Sequence, residues 1–118
     1  GCGNITSTGE ISDSKGALRR VPQNAQSGGY TLQGADSGKH VSTSSGGVTV
    51  PSGLFVAGQV ISVYNNTSGN ITITQGGSVT LRWAADGTTG NRTLGTYGLA
   101  TILCTAANNF VISGGGLS

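Results

Sequence analysis

Between residues 58 and 83 apolar and polar side chains alternate with a period of two, and that alternation limits the fold more than any other feature of this chain. Ile71 and Ile73 alternate with Thr72 and Thr74, and Val79, Leu81 and Trp83 alternate with Ser78, Thr80 and Arg82. A period of two is the repeat of a half-buried strand, and it places one set of side chains on a core. Asn- and Gly-rich segments at 65–70 and 75–77 interrupt the pattern, and both residue types tolerate sharp reversals of the chain. The stretch therefore predicts three consecutive antiparallel strands.

The rest of the chain extends the same reading. Residues 30–32 and 39–43 predict a hairpin around a turn at 35–38, where Asp36 and Gly38 supply the turn chemistry. Residues 48–50 predict a strand stopped by Pro51, and 54–56 are expected to pack under the sheet. A polar excursion at 84–95 predicts a surface loop, and loops of this length in compact domains often carry function. The apolar run at 97–104, with apolar residues at both parities, predicts a central strand covered on both faces, with 108–113 pairing back on it. With 22 glycines, two prolines and 8% charged residues, 118 residues provide one all-β core. The expected fold is an antiparallel β-sandwich or partly closed barrel of about eight short strands.

Residues 1–29 hold five of the ten charged residues and only scattered apolar side chains. They predict an extended arm or linker, leaving 30–118 as the β domain. If the arm docks on a neighbour, Ile5, Ile11, Leu18, Arg19 and Arg20 are its candidate assembly contacts. Cys2 and Cys104 lack the spacing of a disulfide framework, so Cys104 is expected to act as a small buried hydrophobe.

Chemistry-bearing residues are sparse. His40 is the single histidine, and the four acids are Glu10, Asp13, Asp36 and Asp86, on the arm or in turns. That inventory predicts neither a paired-carboxylate site nor a zinc site, so the chain is expected to be non-enzymatic and to need no cofactor. A net charge of +2 is too small for a nucleic-acid footprint. No stretch is apolar over the length of a membrane span, so membrane insertion is not expected. Asn-x-Ser/Thr occurs at Asn4, Asn65, Asn66, Asn70 and Asn91, as expected by chance in a chain rich in Asn and Thr. Low charge beside 35% hydrophobic content favours a subunit of a larger assembly. Trp83, at the strand end before the long loop, and Asp86, Asn91 and Arg92 within it are the candidate surface contacts.

Taken together, the segments YTL at 30–32, DSGK at 36–39, VTVP at 48–51, GQVISVYNN at 58–66, ITITQ at 71–75 and VTLR at 79–82 resemble the small β-rich modules of bacteriophage virion proteins. TGNRTL at 89–94, GLATILC at 98–104 and NFVISG at 109–114 continue the likeness, and GEISDSKG at 9–16 with RRVPQN at 19–24 is similar to the segment that often precedes such modules. The resemblance implies a virion protein of tail-fibre, tailspike, capsid-fibre or decoration type, often homotrimeric. Its partners would be other virion proteins and, on a tail fibre, a host cell-surface glycan. A head decoration or connector protein, or a carbohydrate-binding module with an exposed aromatic platform, are the alternatives.

Overall fold

A computed structural model describes residues 9, 12–17 and 20–118 of the chain. A small hairpin of β1 (Ser12–Asp13) and β2 (Gly16–Ala17) leads into an all-β body with no α-helix among the described residues. From there the chain alternates between two sets of strands. β3 (Gln23–Gln26), β5 (His40–Thr43) and β7 (Val60–Asn65) lie parallel in one set, in the register Gln23 to His40 to Ser62. β4 (Tyr30–Thr31), β6 (Val48–Val50) and β8 (Ile71–Gln75) lie parallel in the other, in the register Tyr30 to Val48 to Ile73. Each circuit of the chain adds one strand to each set, so this half of the molecule is built as stacked coils. A parallel pair needs such a crossover, because a tight hairpin cannot join parallel strands.

The coils are closed by β9 (Thr80–Trp83), β10 (Arg92–Ala106) and β11 (Asn109–Leu117). The start of β10 pairs with β8, Leu94 facing Ile71, and its later part pairs with β7, Leu99 facing Tyr64. One strand thus joins both sets into a nearly closed, barrel-like sheet, with β11 antiparallel along its other edge and β9 parallel to β11. To serve both sets β10 must bend, and its register against β11 shifts between Leu94 and Leu99. Gly98 makes the bend possible: a Cβ there would lie 2.6 Å from the Leu94 side chain and 2.9 Å from the Gly115 carbonyl oxygen. Tyr97 beside it has φ of 61°, a conformation that non-glycine residues adopt rarely.

Inward-facing residues from both sets and from the closing strands form one core. Val41, Ile61, Val63, Ile73, Leu81, Leu94, Ala100, Ile102 and Ile112 are wholly buried, and Phe55 meets Phe110 edge to face at 6.0 Å. Three polar side chains are buried, and each is bonded: Thr43 donates its hydroxyl to the Ser45 carbonyl oxygen at 2.7 Å. Asn65 donates to the carbonyl oxygens of Gly69 and Leu94 at 2.8 and 2.9 Å and accepts from the Thr67 amide and hydroxyl. Asp36 accepts from the Tyr30 hydroxyl at 2.6 Å, from Asn24 at 2.8 Å and from the Gln33 amide at 2.7 Å. Burying these groups is tolerable because their bonds replace those made to water.

The all-β, partly closed barrel and the β10–β11 hairpin match the expectation, but several pairings differ from it. Strands β7, β8 and β9 are consecutive yet never neighbours, and residues 30–32 do not pair with 39–43. Alternation specifies which side chains face the core; it carries no information on which strand lies alongside. The polar segment Gln23–Gln26, placed in the arm by composition, is a sheet strand bonded to β5, so the ordered body begins before Tyr30. An edge strand with one solvated face needs no apolar run. Of residues 54–56 only Phe55 packs inward, while Leu54 and Val56 are exposed. The loop placed at 84–95 is shorter, since β10 already begins at Arg92. Cys104 is a buried free thiol, as expected.

Candidate functional site

The four loop residues chosen from sequence come together on one surface. Trp83 ends β9 and packs against the core, and the Arg92 guanidinium lies over its ring at 5.1 Å from the centroid. Both side chains start from inward-facing positions, Trp83 beside Ile112 and Arg92 beside Ile73, so the stacked pair covers the core where β9 and β8 end. Arg92 Nε donates to the Asn91 carbonyl oxygen at 2.8 Å and Nη1 to the Thr88 hydroxyl at 3.3 Å.

Between them the chain folds tightly back on β9. The Gly87 amide donates to the Trp83 carbonyl at 2.8 Å, the Trp83 amide to Thr88 at 2.8 Å, and the Gly90 amide to Leu81 at 3.1 Å. Gly87 supplies the turn with φ of 80°. Asp86 is fully exposed, and its Oδ1 accepts from the Thr88 hydroxyl and amide at 2.7 and 2.9 Å. Those bonds, with a smaller contribution from the Arg92 charge, hold its carboxyl below the usual carboxylate range. Asn91 uses its side-chain oxygen to accept from the Gln75 amide at 2.8 Å, tying the loop to β8. Arg82, which the sequence reading left out, reaches around the same turn to the Gly87 carbonyl at 2.6 Å. The result is an exposed polar surface with fixed positions, carrying one carboxylate, two guanidinium groups and the hydroxyls of Thr88 and Thr89.

The assembly candidates fare differently. Ile5, Ile11, Leu18 and Arg19 lie outside the described residues, and Arg20 is exposed. A second surface was not anticipated. On the outer side of β5, β7 and β10, a groove of about 420 Å³ is lined by Val21, His40, Ser62, Tyr64 and Leu99. His40 Nδ1 lies 2.9 Å from the Val21 carbonyl oxygen, which fixes the ring against the β3 side of the groove. Leu99 is 52% and Val21 57% exposed, and nearby in sequence Tyr97 is 68% exposed on its bent stretch of strand. The expected covering of both faces of 97–104 is not found within the chain: Tyr97, Leu99 and Leu103 are exposed, because no strand or loop among the described residues packs over the outer side.

Among the described residues no three His, Cys, Asp or Glu side chains gather as a metal site would require. Asp36 and Asp86 are each committed to the neutral donors described above. No protein family, curated relative or solved structure matches this chain.

Proposed function

We propose that the chain is a non-enzymatic structural module of a bacteriophage virion, displayed as a homotrimer of tail-fibre type and contributing to host attachment. The observation that carries this reading is the convergence of Trp83, Asp86, Asn91 and Arg92 on one exposed loop pinned to the sheet. A prepositioned surface loses little conformational entropy on contact, and many weak contacts on one particle add up to firm attachment. Because Arg92 lies over Trp83, the loop offers a host glycan hydrogen-bonding groups rather than an open indole face, and the exposed ring of Tyr97, on the bent stretch of β10, is a separate candidate contact. The likeness of the segments at 30–114 to virion modules supports the location.

Antibody fragments raised against the chain and imaged on whole particles test this proposal. Labels at the distal end of a tail appendage support it. Labels on the capsid lattice replace it with a decoration role, and virions that bind no label overturn it altogether.

A further inference from the structure

We infer that the outer face of strands β3, β5, β7, β10 and β11 is the surface on which copies of this chain meet, turned toward a three-fold axis. This inference rests on the homotrimeric reading proposed above and says which face the trimer uses. The residues pointing outward there follow from the registers: Gln23 and Ala25, His40 and Ser42, Val60, Ser62 and Tyr64, Leu99, Thr101 and Leu103, then Val111 and Ser113. No Asp, Glu, Lys or Arg is among them, and the next strand out, β9, carries Arg82 in register with Val111.

A residue near a symmetry axis meets its own copies, so a charge there faces its own sign, and like charges brought together cost free energy. Apolar groups carry no such penalty, and a hydroxyl both donates and accepts, so Ser42, Ser62, Thr101 and Ser113 can meet themselves without a donor clash. A charged partner would find no Asp, Glu, Lys or Arg among these strand residues to pair with. Part of this surface leaves apolar side chains in water: Val21, Leu99 and Leu103 are all exposed, and the groove that Val21 and Leu99 line is mainly of carbon. The same physics that leaves a charge-free sheet face uncovered in one chain favours its burial against identical faces.

The test is the mass of the full chain in solution, by light scattering, for the wild type, Leu99→Glu, Thr101→Glu and a control, Leu54→Glu. Leu54 is as exposed as these but lies off the face, on the loop before β7. A trimer for wild type and Leu54→Glu, with both face variants falling to one chain mass, is the expected result. Far-ultraviolet circular dichroism of those monomers should keep the β spectrum, because the substituted side chains are exposed. If the face variants remain trimers, the face is wrong and the homotrimer stands. If the wild type is a monomer at every concentration, the homotrimer fails, and this inference with it.

Discussion

The Arg92 guanidinium is stacked 5.1 Å above the centre of the Trp83 ring, closing the core at the end of β9 with one cation and one indole. Arg92→Ala removes the stack and the bonds to Asn91 and Thr88. The expected loss is about 0.5–1 kcal/mol, the usual worth of a partly exposed cation–π pair. Trp83 is the single tryptophan, so its fluorescence reports the change directly: emission should shift red and acrylamide quenching should increase. Unchanged quenching would mean that Arg92 does not shield the ring.

Asn65 is expected to be the most sensitive polar position in the molecule. Its amide satisfies the carbonyl oxygens of Gly69 and Leu94 and its oxygen accepts from Thr67, all at the buried end of β7. Asn65→Ala removes the side-chain donors to the Gly69 and Leu94 carbonyl oxygens and the acceptor of Thr67, buried bonds together worth about 1–3 kcal/mol. Asn65→Asp should cost more at neutral pH, because a carboxylate would face two carbonyl oxygens. Denaturant midpoints rank the three proteins, and equal midpoints would refute this role.

At Tyr97 stability and binding should move in opposite directions. Its left-handed backbone costs about 1–2 kcal/mol relative to a residue at ease there. Tyr97→Asn, which tolerates φ of 61°, should therefore raise the denaturation midpoint by about 0.5–1 kcal/mol. The same variant should weaken adsorption of particles or trimers to host cells. A fall in stability would show that the ring, though exposed, supports the bend in β10.

Alkaline pH should act through Tyr30. Burial, and then its bond to Asp36, raise its phenol above the ordinary value of 10.0, which favours the neutral form in the folded chain. The folded chain therefore keeps a proton that the unfolded chain releases, so this contribution is intact below pH 10.0 and is lost as pH rises through the folded value. Stability measured across this range should fall more steeply for wild type than for Tyr30→Phe. Parallel curves would remove Tyr30 as the cause.

Period-two alternation was enough to mark the inward residues Ile71, Ile73, Val79 and Leu81, and hence the all-β class, because facing the core is a local property of each strand. The polar excursion at 84–95 located the loop that carries Asp86 and Asn91, with Trp83 and Arg92 among its candidate contacts. Tertiary structure alone decided that β7 lies between β5 and β10 rather than beside β8, since the pairing of distant strands depends on contacts that no local pattern encodes. It also recruited the polar strand Gln23–Gln26, which composition had assigned to the arm, through backbone bonds to β5. The meeting of Tyr64 with Leu99 arose in the same way, 35 residues apart in sequence and side by side on one face. Side-chain chemistry determined what each strand could bury, and only closure of the sheet determined which exposed groups would share a surface.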